Sequence, residues 1–339
     1  MKKALNLCLA MVMAAGLTHS HAGNTNGEPS QGTAQRSIPK IIFDTDMGPD
    51  YDDIGAIAVL HALADRGECE ILATVSSDGH PMIAPTIEVY NRYYNRPHLP
   101  VGNPLPGAPD FTAANNWNDL IVDEFAPDLR GKTYPTAVSV YRQVLAAQPD
   151  NSVTIVTVGF TSNVSDLLNS KADEHSNLNG VELVKKKVKH WVAMAGSLPG
   201  GQEFNVFEAA KASVNAFTNF PKPILFSSFE IGYRIFTGGE VAKLDGTKNP
   251  VARGYAFNLQ TYTKDGETAR PSWDQATVLI AIRNPEDYFY VNGPGKFIIN
   301  QDGTNSWDPT IDAGHRFLVH KYPFQHIANV LEELMKHEP

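Results

Sequence analysis

The chain has 339 residues, 42% of them hydrophobic and 19% charged, with a formal net charge of -9. That hydrophobic share can bury a sizeable core, which excludes disorder for the bulk of the sequence. The acidic balance, with a pI of about 5.6, argues against nucleic acid or an anionic membrane as the main partner, and no apolar run beyond the N-terminus is long enough to span a bilayer.

Lys2 and Lys3 precede an apolar stretch over residues 4–17, and Ser20-His21-Ala22 offers a small-x-small cleavage site before Gly23. This pattern predicts a secretory signal peptide over residues 1–22, against the alternative of a buried N-terminal helix. Export follows, so the expected location is periplasmic or secreted. Residues 23–38 are polar and rich in Gly, Ser and Asn, which predicts a flexible leader. Removal of residues 1–22 leaves Cys69 as the lone cysteine, so no intrachain disulfide is available. Cys69 reads as a buried structural thiol.

From residue 39 onward, strand-like and helix-like segments alternate. Residues 40–43 are a short apolar strand that runs into acids. Residues 52–64 are Ala-rich and almost wholly apolar after their first two positions, which predicts a buried helix. Residues 70–76 predict a second strand. Helices follow over 85–94 and 135–148, the second stopping before Pro149. Residues 153–158 (VTIVTV) are dominated by β-branched side chains and predict a core strand. Strands at 191–194 and 224–227 each follow a helical stretch. A late helix covers 272–282. Strands at 296–299 and 317–319 precede an amphipathic helix over 325–336.

Strands separated by helices imply βαβ units. The expected fold class is α/β, a mainly parallel central sheet flanked by helices, Rossmann-like, in a single domain over residues 39–338. Ligands of such sheets bind outside the carboxyl ends of the strands.

The first strand ends in Asp44-Thr45-Asp46-Met47-Gly48-Pro49-Asp50-Tyr51-Asp52-Asp53, five aspartates with no base among them. Asp44 and Asp46 are two apart, so in extended chain they point to one side. Gly48-Pro49 turns the chain, and Asp52 and Asp53 open a helix whose dipole favours carboxylates. Clustered carboxylates repel unless protonated or bridged by a cation. An all-oxygen donor set favours Ca2+ or Mg2+ over Zn2+. The competing reading is a solvated acidic turn. An EF-hand fails, because loop positions six and twelve counted from Asp44 are Pro49 and Gly55. A haloacid-dehalogenase-type phosphatase is disfavoured by Gly48, where such enzymes usually carry Thr or Val.

With these residues in view, the sequence resembles the inosine/uridine-preferring nucleoside hydrolase family. The acidic segment is similar to that family's Asp-x-Asp-x-Gly-x-Asp-Asp signature, with two extra residues before the Asp pair. Residues 153–163 (VTIVTVGFTSN), 194–205 (MAGSLPGGQEFN) and Ser272-Trp273-Asp274 resemble three further family stretches, in the same order. The resemblance covers about residues 39–285 and thins out beyond.

The resemblance implies a metal-dependent hydrolase that splits the N-glycosidic bond of ribonucleosides into base and ribose. It implies one Ca2+ per chain, with Mg2+ as second choice, held by Asp46, Asp53, Asp274 and the backbone carbonyl of Val158. Asp46 would be the general base for the attacking water. Asp52 would hold the 2′-hydroxyl, Glu203 and Asn205 the outer ribose hydroxyls, and Met194 would lie under the ribose. Trp273 stands where many members place His, and its indole would stack on a purine. Asp78 is the candidate acid or base contact. The bland alternatives are a core Met for Met194, an aromatic helix cap for Trp273 and a turn-forming Asp for Asp78. The implied partner is a small-molecule nucleoside, with neither nucleic acid nor membrane, and the family pattern allows a homo-oligomer. The rival function class is an exported protein that binds Ca2+ and a ribosyl ligand without turnover.

Overall fold

Lys40–Thr45 forms strand β1, buried along its whole length beyond Lys40. Ile41 and Phe43 enter one hydrophobic cluster and Ile42 the other, as the two-residue period of a strand requires. A strand covered on both faces belongs in the middle of a parallel sheet. The remaining strands are β2 (Glu70–Ser76), β3 (Val101–Gly102), β4 (Val153–Thr157), β5 (Val188–Met194), β6 (Gly200–Gln202), β7 (Ile224–Ser227), β8 (Phe236–Thr237), β9 (Arg270–Pro271), β10 (Phe289–Ile299), β11 (Thr304–Asp308) and β12 (His315–His320). This computed structural model describes residues 38–262, 267–321 and 323–339. The expected signal peptide (1–22) and all of the expected leader (23–38) except Ile38 lie outside the described residues.

The main sheet has ten strands in the order β3-β2-β1-β4-β5-β7-β12-β10-β11-β6. From β3 to β12 every pairing is parallel. An antiparallel flap, β12-β10-β11-β6, closes the far edge. The chain moves outward from β1 on one side and returns as β4 on the other, so the order reverses beside β1. That reversal opens a crevice at the carboxyl ends of β1 and β4. Residues 38–339 form one compact unit, which accords with the α/β, mainly parallel sheet expected from the sequence.

The helix Asp52–Asp65 is buried from Asp52 to Leu63. It is apolar all round because it is sandwiched: the equally apolar helix Trp273–Ile282 packs against it, with Phe324–Met335 alongside. The helices Asp52–Asp65 and Trp273–Ile282 both start at the crevice. No described helix is long and apolar enough to cross a membrane.

Two departures from the sequence reading affect the site. β10 runs for eleven residues rather than over 296–299. Its register shifts between Asn292 and Gly295, and the Asn-Gly-Pro-Gly run there hides the strand pattern. The helix Pro250–Thr261 was not expected at all. Its start is nonetheless written in the sequence, because Asn249 accepts the Val251 and Ala252 N–H groups and Pro250 fills the first turn.

Candidate active site

The chain leaves β1 at Thr45, and the parity expected of Asp44 and Asp46 is lost there. Asp44 stays buried in the sheet. The Tyr141 hydroxyl donates to its Oδ2 at 2.8 Å, and Asn163 Nδ2 donates to Oδ1 at 3.1 Å. Burial pushes its carboxyl up to about 7 despite these donors. Asp46 instead lines the crevice, together with Asp50, Asp52, Asp53 and Asp274. Gly159 permits this, since a Cβ there would sit 2.3 Å from the Asp46 amide nitrogen.

The turn after Asp46 reverses direction through Met47 and Gly48, both at positive φ (44° and 141°). Met47 N–H donates to Thr45 Oγ1 at 2.9 Å and to Asp53 Oδ1 at 3.1 Å, and the Thr45 hydroxyl also donates to Asp53 Oδ1. The turn is thereby folded back onto the acid that opens the next helix. Asp52, beside it, caps a different helix. Its Oδ2 accepts the backbone N–H groups of Trp273 and Asp274, both at 3.1 Å. A carboxylate at a helix N-terminus meets unpaired N–H groups and the positive end of the dipole.

Asp52, Asp53 and Asp274 each offer a buried carboxylate oxygen within 4.8 Å of the others. Burial first, and then the neighbouring acids, hold Asp46, Asp52 and Asp274 well above the usual carboxylate range. Burial pushes Asp53 up to about 6 against the Thr45 hydroxyl. Such a cluster is relieved by protons or by a cation. Hard carboxylate oxygens with a backbone carbonyl at the same wall suit a hard divalent ion, so the residues present fit a metal ion.

That carbonyl belongs to Val158, one residue past β4. Its N–H extends the ladder to Asp44 O at 2.8 Å, and its oxygen accepts Asn205 Nδ2 at 2.9 Å. Asn205 Nδ2 also reaches Met194 Sδ at 3.5 Å, at the carboxyl end of β5. Glu203 caps the short helix Phe204–Glu208 and accepts N–H groups of Asn205 (2.8 Å), Gly196 (3.1 Å) and Val206 (3.3 Å). Burial pushes its carboxyl up to about 7. The preceding loop is held from outside, with Glu230 accepting the Ser197 hydroxyl at 2.5 Å and Leu198 N–H at 3.1 Å.

Of the residues singled out from sequence, Asp46, Asp52, Asp53, Val158, Met194, Glu203, Asn205, Trp273 and Asp274 share one pocket lining. Asp78 is not on it. Its carboxylate accepts His80 N–H at 2.7 Å and Phe111 N–H at 3.1 Å, and it is fully buried. Phe111 in turn packs on Phe160 and Phe204, so Asp78 touches the pocket wall through an aromatic relay.

Trp273 is half-buried at the mouth. Its Nε1–H donates to Phe229 O at 2.7 Å, and its ring stacks on Phe229 at 5.5 Å. Tyr233 extends this aromatic ledge. Phe204, Phe229 and Tyr262 line the pocket too and were missed in the sequence, where isolated aromatics carry no signal. Tyr262 could have been found from the Asn-Pro start of the helix that ends beside it.

A family model for inosine-uridine preferring nucleoside hydrolases matches residues 41–317, so the likeness extends well past residue 285. The pyrimidine-specific ribonucleoside hydrolase RihA of Enterobacter sp. (strain 638) is 31% identical over 238 residues, covering 66% of this chain and 70% of that protein. Among solved structures, an inosine-guanosine nucleoside hydrolase superposes with a TM-score of 0.66 at 18% identity, over 89% of this chain and 100% of its own. The plant nucleoside hydrolase PpNRh1 gives 0.60 at 21% identity, over 88% and 99%. With the family match running from β1 into β12 and the acids gathered where β1 and β4 part, the chain belongs to the inosine-uridine preferring nucleoside hydrolase family and is a nucleoside ribohydrolase.

Proposed function

We propose that this enzyme is an exported, Ca2+-dependent hydrolase of ribonucleosides that favours purine bases. The observation that carries the reading is the convergence of Asp46, Asp52, Asp53, Asp274 and the Val158 carbonyl on one pocket beneath an aromatic ledge. Asp46, Asp53, Asp274 and Val158 would hold the ion, which when bound supplies a water of lowered pKa and an anchor for sugar hydroxyls.

The chain's own residues do the rest. Asp46 accepts the proton of the water whose oxygen bonds to C1′ while the bond from C1′ to the base nitrogen breaks, its electron pair leaving with the base, which takes up a proton from solvent. The surrounding carboxylates favour the oxocarbenium character that develops on the sugar. Asp52 accepts the 2′-hydroxyl while its Oδ2 stays tied to the helix end. Asn205 and Glu203 face the outer hydroxyls, with Met194 below the ring. A carboxylate there repels a 5′-phosphate, which selects nucleosides over nucleotides. Trp273 and Phe229 offer the leaving base an aromatic face, and a two-ring base covers more of it than a one-ring base. RihA is named for pyrimidine specificity, so base ranking is the point that an assay decides. Asp78 enters as a positioning residue for the Phe111–Phe204 wall.

The test is release of reducing sugar from inosine, guanosine, adenosine, uridine and cytidine, with added Ca2+ and after chelation. Release that survives chelation removes the metal from the reading. Faster turnover of uridine and cytidine than of the purines removes the purine preference. Binding without release supports the rival of a nucleoside-binding protein.

A further inference from the structure

We propose that the Asp50–Arg270 ion pair is a positioning latch for substrate binding, fixing the start of the helix Trp273–Ile282 against the turn that follows β1. The proposal rests on the hydrolase reading above. Arg270 Nε donates to Asp50 Oδ1 at 2.9 Å, and its Nη2 donates to Oδ2, a forked pair. The side chains are only 19% and 26% exposed, so water screens the pair weakly.

The two partners lie 220 residues apart in sequence. Asp50 sits in the turn between Asp46 and Asp52. Arg270 sits in β9, just before the helix that presents Trp273 and Asp274. The same two segments are joined a second time by the Asp52 carboxylate and the amides of Trp273 and Asp274. Asp52, however, is needed by the sugar. Its Oδ2 stays on the helix end when the sugar binds, and the Asp50–Arg270 pair doubles that tie through a carboxylate that the sugar does not engage.

The guanidinium is also clasped by rings. Its carbon lies 5.5 Å from the centroid of Tyr51, 5.4 Å from Tyr262 and 5.7 Å from Trp273. Tyr262 and Trp273 line the pocket. Arg270 is not itself among the lining residues, and it sets the indole's place through its contacts with residues that are. It also neutralises Asp50, which would otherwise add another charge beside Asp52 and Asp53. Loss of either partner should loosen the indole and the helix end.

The experiment compares Arg270→Gln, Asp50→Asn, the double variant and Arg270→Lys in the full enzyme. Each single change should raise KM on the order of tenfold with little change in kcat, because the latch acts equally on the ground and transition states. The double variant should be no worse than the poorer single one, the signature of a coupled pair. Lysine should restore only part of the effect, since it cannot make the fork. Unchanged KM in the singles, or losses that multiply in the double, overturn the latch. A purely structural role would lower Tm and the active fraction with KM intact. Amide exchange at Trp273 and Asp274 gives a readout free of turnover. Faster exchange in Asp50→Asn supports the latch, and unchanged exchange overturns it. Absence of sugar release by the unmodified enzyme would instead sink the hydrolase reading, leaving the exchange result to stand alone. Should Arg270→Gln fail to fold, Asp50→Asn and Arg270→Lys carry the comparison.

Discussion

Asp52 and Asp274 are joined in two opposing ways. The Asp274 N–H donates to Asp52 Oδ2 at 3.1 Å, while their carboxylates, with that of Asp53, crowd within 4.8 Å. The first contact is a helix cap, worth about 1 kcal/mol. The second is a repulsion that burial makes worse. The helix dipoles that meet here offset part of it, and a divalent cation would remove the rest.

Metal binding should therefore be read in stability as well as in turnover. Added Ca2+ should raise Tm, and chelation should lower it and stop sugar release. An ion at a hundred times its Kd stabilises by about 2.7 kcal/mol if the unfolded chain does not bind it. Asp274→Asn should abolish the Ca2+-dependent Tm shift. A full shift in that variant would take Asp274 out of the ligand set.

Asp46 should be the residue whose loss harms chemistry most and folding least. Asp46→Asn keeps the volume and removes the base, so kcat should fall by roughly 10²- to 10⁴-fold with the Tm of the metal-free protein little changed. Gly159→Ala offers an independent check, since its Cβ would collide with the Asp46 amide. It should lower activity by moving the carboxylate without deleting it. Near-normal turnover in Asp46→Asn would assign the base elsewhere.

Asp78 gives a pH signature of its own. Burial pushes its carboxyl up to about 7, against the amide bonds from His80 and Phe111 that lower it. Between the ordinary value near 4 and this raised one, the folded protein holds a proton that the unfolded chain has released. Its contribution to stability is thus full below about pH 4 and is lost as pH rises through about 7. Asp78→Asn keeps an acceptor for both amides at Oδ1 and should flatten that slope in denaturant titrations across the window. Turnover should stay within about tenfold, as fits a residue acting through Phe111. A loss of several orders of magnitude with the fold intact would make Asp78 the acid.

The strands β2 and β7 occupy the residues expected from sequence, and the acids gather at the end of β1 as their spacing implied. These features were legible because each arises within one short segment, from alternation or from a strand running into charges. The Asp50–Arg270 pair was not legible. Asp50 stands among the clustered acids, but nothing local marks Arg270 as its partner, and the fold alone brings the two together. The same holds for the ledge of Trp273, Phe229 and Tyr233, built from separate segments. Asp44 shows a further limit. Its two-residue spacing from Asp46 implied a shared side, but the strand ends between them, and Tyr141 and Asn163 claim the first acid.

Trp273 is where specificity should be decided. Gly232 lies so close that a Cβ on it would come within 2.2 Å of the Trp273 Cα, so the helix start is pressed onto the segment that carries Phe229. The indole is then fixed by its Nε1–H bond to Phe229 O and by stacking on that ring. A ring held this firmly loses little entropy when a base lies on it. Aromatic stacking on a base is worth about 1–3 kcal/mol by truncation, and a purine presents more area than a pyrimidine. Trp273→Ala should therefore raise KM for inosine and guanosine by roughly tenfold or more, and for uridine and cytidine by less. Trp273→Phe should recover part of the purine preference, because an aromatic face is kept, though a smaller one, and the Nε1–H bond is lost. Equal losses on both classes of base would reduce Trp273 to a packing residue of the pocket mouth.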